Sequence, residues 1–242
     1  TSDNQGNYTA YILAGPVSVS IQPPSGSIYS TNSQAFTVSG DTNQNLSLPS
    51  PNQVSGKVIL PAGLPTPSQI RVAVGSSSDA HWGNTFVSAD ANGNYSIPAP
   101  SGTSYIMAQV VFPTSSTVGS NQSTVWVNIS PTSDLTQNIS VPLLKVTGKT
   151  TDKNGVGIGG VRLGFLRNAT VWDSYTSYET TSDNQGNYTA YVLAGPVSIG
   201  VTPYLNSGFS PSSLTGLTFS SAISQIIALR SEERRVGKEC RS

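Results

Sequence analysis

Three short stretches hold most of the side chains that could do chemistry. Asp183, Asn184, Gln185, Gly186, Asn187 and Tyr188 open a run of nine residues that recurs letter for letter at 3–11. A diverged copy, with Asp90, Asn92, Gly93, Asn94 and Tyr95, lies between them. Oxygen-rich loops of this kind suit calcium, which takes about six to eight oxygen ligands, several of them carboxylates. Each loop here offers a single Asp, and no bidentate Glu follows at calcium-loop spacing. A tight turn accounts for the same residues. An Asp side chain bonds the backbone two residues on, and Gly accepts the positive φ that other residues resist. The expectation is therefore a turn with no metal and no cofactor.

His81 is the single histidine and stands beside Trp82. With no second imidazole and no Gly-x-Ser-x-Gly elbow, it reads as a solvent-facing loop residue. Trp172, Tyr175 and Tyr178 are the candidate ligand-binding residues. Flat aromatic rings stack on the apolar C–H faces of sugars, so this cluster is the candidate carbohydrate platform. Aromatics at alternating strand positions also fill cores and domain junctions, and that alternative stays open. No phosphate loop, metal-thiolate set or zinc-protease motif is present. No catalytic residue is assigned, and the chain is read as non-enzymatic.

The elements that position these residues follow from periodicity. After Gly186, residues Tyr188, Ala190 and Val192 fall on one side, and Asn187, Thr189 and Tyr191 on the other. That two-residue period is a strand, so each copy predicts a hairpin turn feeding a strand, including one over 8–13. Over all 242 residues, no useful length shows amphipathic helix spacing, and short β-branched runs alternate with turn residues. The fold class is all-β. Only 10% of residues are charged, but regular apolar strands argue against disorder, which pairs low hydrophobicity with high net charge. No run is long and apolar enough to span a membrane.

Composition changes abruptly after Leu229. Residues 230–242 hold five of the twelve basic residues, three of the twelve acidic ones and the single cysteine, Cys240. This tail resembles the in-frame translation of a sequencing adapter and is expected to be foreign to the protein, in keeping with a fragment assembled from environmental DNA. Without it, seven basic and nine acidic residues remain and no cysteine. Disulfides, thiol chemistry and a basic stripe for nucleic acid are then excluded.

Two spacings fix an internal repeat. Gly93 and Gly186 are 93 residues apart, and Val54-Ser55-Gly56-Lys57 returns 92 residues later as Val146-Thr147-Gly148-Lys149. This period is too long for a solenoid and matches a small sandwich domain. The predicted units are 1–50, the C-terminal half of a truncated β-sandwich; 51–144, a complete sandwich; 145–229, a second complete one; and the tail. Strands are expected at 17–21, 35–39 and 46–48 in the first unit. In the second they fall at 54–60, 70–74, 85–87, 105–112, 124–129 and 139–144. In the third they fall at 145–150, 161–163, 171–178, 197–201 and 223–229, with a polar loop between the last two. The first unit should expose a raw sheet edge that captures a strand or self-associates.

The order of motifs in the third unit carries a resemblance. Val146-Thr147-Gly148, Asn154-Gly155-Val156-Gly157-Ile158, Val161-Arg162-Leu163, the 183–188 turn and Ala194-Gly195-Pro196-Val197 follow one another as in the carboxypeptidase regulatory-like domain. That family is a transthyretin-like, Ig-like sandwich of about seven strands. The resemblance covers 145–205 best, 53–110 well and 1–24 in part. The Gly-Pro-Val copies depart from the Gly-Thr-Tyr that usually follows the hairpin. The resemblance implies spacers and surface modules attached to peptidases, receptors, glycosidases and adhesins. In the related Cna B-type pilin domains a Lys and an Asn form an isopeptide beside a buried acid. Lys57 or Lys149 would supply the amine, with Asn138 near a last strand. Residues 51–144 contain no Glu and 220–229 no Asn, so no isopeptide is expected.

The leading expectation is a non-catalytic structural or adhesive repeat, extracellular or on a cell surface, acting as a stalk or presenting device. Its partners would be a cell-surface glycan or protein, not nucleic acid. The rivals are an accessory domain of a secreted peptidase or glycosidase, and a carbohydrate-binding module. Eight Asn-x-Ser/Thr triplets, among them Asn94, Asn121 and Asn187, would be glycan sites in an archaeal surface protein.

Overall fold

Alternating apolar and polar residues between turn signals produce strands throughout. Among the described residues there is no helix. The structure, a computed structural model, describes residues 1–24, 27–76, 85–100, 102–113, 121–167 and 175–231. The chain begins with an antiparallel pair, β1 (Gly15–Ile21) and β2 (Asn32–Val38), in register from Gly15↔Val38 to Ile21↔Asn32. There follow β3 (Asn52–Ile59), β4 (Gln69–Gly75), β5 (Thr85–Ser88), β6 (Asn94–Ala99), β7 (Tyr105–Phe112) and β8 (Asn121–Asn128). Two short strands, β9 (Leu135–Thr136) and β10 (Ile139–Ser140), lead to β11 (Leu143–Thr151). The last set is β12 (Arg162–Arg167), β13 (Tyr175–Thr181), β14 (Asn187–Leu193), β15 (Gly195–Thr202), β16 (Ser212–Phe219) and β17 (Ile223–Ala228).

The same arrangement is built twice. β11 lies between β14, antiparallel, and β17, parallel. β3 lies likewise between β6, antiparallel, and the parallel pieces β9 and β10. The remaining strands form the opposing layer, in the order β16-β15-β12-β13-β8-β7-β4-β5. Inward residues of the two layers fill two cores. One is built on Val54, Ile97, Ile106, Phe112 and Ile139, the other on Val146, Leu163, Phe165, Val192 and Ile199. These are sandwiches in which one face of each sheet is apolar and buried.

The opposing layer is continuous. β8 pairs antiparallel with β13 through Thr124↔Tyr175, Ser123↔Thr176 and Gln122↔Ser177. Each of these strands would otherwise be a free sheet edge, and pairing them hides both sets of backbone groups. Tyr178 packs against both cores from this seam.

The expected strand pattern holds for β14. Tyr188, Ala190 and Val192 are buried, and Asn187 is exposed. Four details differ. Residues 8–13, expected as a strand, form none; Tyr11 and Leu13 are 98% and 91% exposed. The sequence is right for a strand, but no described strand pairs with it. Residues 46–48 also form no strand. The strand expected at 139–144 is cut at Pro142, which has no N–H to give a ladder, and β11 starts at Leu143. The polar loop expected before 223 contains β16. Its alternation is hidden by Gly216 at φ +73° and by a register shift opposite Val197 and Ile199.

Candidate functional site

The acidic turns are closed by their own hydrogen bonds. Asp183 Oδ1 accepts the backbone N–H groups of Gln185 at 2.9 Å and Asn187 at 2.8 Å, and Asn187 Nδ2 donates to Oδ2 at 3.1 Å. Asp3 and Asp90 repeat this with Gln5 and Asn7, and with Asn92 and Asn94. Asp152 does the same with Asn154 and Val156, a fourth copy in which Val156 stands where the others have Asn. The Gly186 N–H closes the turn onto Asp183 O, with Gly186 at φ +85°. Donors to an ionised carboxylate favour its charged form. The Asn187 amide leads in holding Asp183 below the usual carboxylate range, and Asn94 and Asn7 lead for Asp90 and Asp3. Both oxygens of these carboxylates are thus engaged within the turn. Among the described residues, no three His, Cys, Asp or Glu side chains converge.

A second recurring feature is not visible in the local sequence pattern. Tyr188 lies in β14, and its hydroxyl donates to Gln225 O in β17 at 2.5 Å. Tyr95 donates in the same way to Gln137 O, and Tyr8 to Gln44 O at 2.7 Å. In the two sandwiches this bond crosses the central strand at a glycine. Gly148 faces Tyr188 in β11, and Gly56 faces Tyr95 in β3. A Cβ on Gly148 would overlap Gln225 O and the Tyr188 hydroxyl, and one on Gly56 would overlap Gln137 O. Burial pushes both phenols up, Tyr95 to about 12. The available signal was a Gln about forty residues after each hairpin Tyr, which stands out only once the repeats are aligned.

The aromatic candidates are placed unequally. Trp172 lies outside the described residues, as do His81 and Trp82. Tyr175 contributes the backbone pairing with Thr124. Tyr178 is edge-on to Phe112 at 6.4 Å and to Tyr191 at 5.8 Å, and Phe112 and Tyr191 are 5.9 Å apart. Burial and then the neighbouring Tyr191 push the Tyr178 phenol up to about 12. The Tyr178 ring therefore fills the joint between the two cores.

Polar groups also tie the joint. Ser123 Oγ and Thr176 Oγ1, both fully buried, share a hydrogen bond of 2.9 Å, and Thr176 Oγ1 accepts the Leu193 N–H at 3.1 Å. The Glu179 N–H donates to Asn121 Oδ1 at 2.8 Å. Asn121 is buried, so of the glycan triplets this one is shielded in the folded chain. Asn138 Oδ1 accepts the backbone N–H of Lys57 at 2.9 Å, which fixes the register of β3 against the end of its unit.

No family model matches this chain, and no curated protein matches it. Solved structures do. A streptococcal ancillary pilin aligns over 91% of this chain and 76% of its own, at 12% identity and a TM-score of 0.31. The Bacillus anthracis TIE protein aligns over 90% of this chain and 42% of its own, at 11% identity and a TM-score of 0.30. The shaft pilin SpaA from Lactobacillus rhamnosus GG aligns over 75% of this chain and 98% of its own, at 9% identity and a TM-score of 0.31. At this distance the likeness carries no functional inference.

Proposed function

We propose that the chain is a non-catalytic extracellular spacer that bears tension, a run of β-sandwich units holding something away from a cell surface. The observation that supports this most is the parallel pairing of the strands that enter and leave each sandwich. β11 enters and β17 leaves, paired from Val146↔Ile223 to Thr151↔Ala228. β3 is paired the same way with β9 and β10. Tension along the chain drags such strands past each other lengthwise, so the ladder bonds are loaded together. An antiparallel pairing of the same two strands would open one bond at a time. The Tyr188 and Tyr95 hydroxyls add a cross-tie over each central strand. The β8–β13 seam stiffens the joint between sandwiches. Composition supports the reading of a placement outside the cell, with 10% charge and many hydroxyl and amide side chains.

Single-molecule pulling tests this reading, because forced unfolding reports the barrier to unfolding and not the equilibrium stability. Handles at Pro142 and Leu229 load β11 and β17 in shear, whereas handles at Pro142 and Ala222 peel them apart. A clearly higher unfolding force in the first geometry is expected. Equal forces would remove the load-bearing role.

A further inference from the structure

The two complete sandwiches share a plan but not the same clamp. In the β11 sandwich the entering and leaving strands pair without a break, from Val146↔Ile223 to Thr151↔Ala228, and the Leu229 N–H continues the ladder onto Thr151 O at 2.7 Å. In the β3 sandwich the same ladder comes in pieces. β9 supplies Val54↔Leu135 and Ser55↔Thr136, and β10 supplies Val58↔Ile139 and Ile59↔Ser140. Gln137 and Asn138 belong to neither strand. The register is the same on both sides of this gap, so no residue has slipped. What changes is the acceptor. In the gap Asn138 Oδ1 takes the Lys57 N–H at 2.9 Å, and ahead of β9 Asp134 Oδ1 takes the Gln53 N–H at 2.8 Å. At the place of Asn138 the other clamp has Ile226, opposite Lys149, whose side chain can accept nothing.

We propose that the β3 sandwich is the yielding element of the pair and opens under tension before the β11 sandwich does, an order that rests on the load-bearing reading above. The two sandwiches follow one another in the chain at Pro142, so a pull along the chain loads both. A shear clamp is strong when its rungs are equally stiff and fail together. A main-chain carbonyl is held in its peptide plane. Asn138 Oδ1 hangs on rotatable side-chain bonds and swings along the pull before it holds. Asn138 and Asp134 are also exposed, so water competes for each N–H that they accept. β9 and β10 then bear load as two short ladders in turn and not as one. β8 belongs to the sandwich that opens, so yielding also withdraws Gln122, Ser123 and Thr124 from β13 and frees that edge. The chain lengthens in a first step while the β11–β17 clamp still holds.

Pulling on the full chain at constant force tests this order. Handles at Pro51 and Pro142 load β3 against β9 and β10, and handles at Pro142 and Leu229 load β11 against β17. At one fixed force the β3 sandwich should unfold at least about tenfold faster than the β11 sandwich. Asn138→Ala should speed its unfolding further, and Asn138→Asp, which keeps the acceptor oxygen, should not. Ile226→Ala should leave the β11 sandwich unchanged, because that side chain is exposed and accepts no rung of the ladder. Equal rates for the two handle pairs, a slower β3 sandwich, or an Asn138→Ala rate equal to that of the parent chain would each overturn the order. The load-bearing reading stands or falls separately. It survives such a result if shear between Pro142 and Leu229 still resists more than peeling between Pro142 and Ala222, and it falls if that difference is absent.

Discussion

The hydroxyl of Tyr188 donates to the backbone carbonyl of Gln225 at 2.5 Å, directly over Gly148. One bond thus joins β14 to β17 and leaves the strand between them no room for a side chain. Replacing Gly148 by Val should destabilise the sandwich by about 1–3 kcal/mol or more, through overpacking against backbone that cannot yield. Tyr188→Phe removes only the hydroxyl and should cost about 0.5–1.5 kcal/mol. Urea unfolding of both variants checks the order. If Tyr188→Phe proves the costlier, the glycine is not the constraint.

The Asp turns predict an acid response. Asp90 and Asp183 are held below the ordinary carboxylate value of about 3.9 by the amides of Asn94 and Asn187. A carboxyl group depressed in the folded state adds stability above its unfolded pKa. That contribution is lost as pH falls through the folded value. Thermal midpoints should therefore be flat at neutral pH and fall below about pH 4. The Asp90→Asn, Asp183→Asn double variant should start lower and show a weaker fall. An unchanged slope in the variant would place the acid sensitivity elsewhere.

Alkali should act on the buried phenols. Burial raises the pKa of Tyr95 and Tyr178 to about 12, and that of Tyr188 also moves up. An unfolded chain ionises its tyrosines near pH 10, so the stability held by neutral native phenols is whole below that point. It then declines as pH rises toward the native values. Absorbance titration should show the phenols of Tyr95, Tyr178 and Tyr188 ionising only together with unfolding. Refolding to neutral pH should restore them together. A single transition near pH 10 with the fold intact would contradict the packing of all three rings.

Ser123 and Thr176 test the seam. Their hydroxyls are fully buried and bonded to each other, and Thr176 also takes the Leu193 N–H. Removing one hydroxyl strands its partner, which costs about 1–3 kcal/mol, while removing both costs less than the sum. Ser123→Ala, Thr176→Val and the double variant form a cycle. A coupling of about 0.5 kcal/mol or more marks a real joint between sandwiches. Additive effects would mean the two strands only touch.

How much of this was legible in the sequence divides along a physical line. Local rules recovered the turn chemistry and the inward face of β14, because Asp, Gly and period-two alternation act over a few residues. They recovered the all-β class for the same reason. They missed β16, where Gly216 and a register shift interrupt the alternation. They gave no hint that β8 and β13 would join, since edge pairing is decided by what else is nearby. They singled out Tyr178 as an aromatic of interest, and only its neighbours Phe112 and Tyr191 show that its ring is spent on packing. The Tyr–Gln bond joins residues about forty positions apart, beyond the reach of any window used to read motifs.

The identical copies make the sharpest experiment on that division. Residues 8–11 and 188–191 have the same letters, the same preceding turn and the same Tyr–Gln bond. They differ in one respect, since β14 has β11 beside it from Leu143↔Leu193 to Lys149↔Asn187 and 8–13 has no described partner strand. If propensity made the strand, the two copies would protect their amides alike. If pairing makes it, amides in 188–193 exchange only on opening of the sandwich, and those in 8–13 exchange at nearly the rate of an open chain. Hydrogen exchange with mass spectrometry reads both in one sample, although their shared peptide must be separated by its flanks, Ile12 against Val192. We expect slowing by several orders of magnitude in the second copy alone. Equal protection in both would mean that 8–13 is already paired in solution.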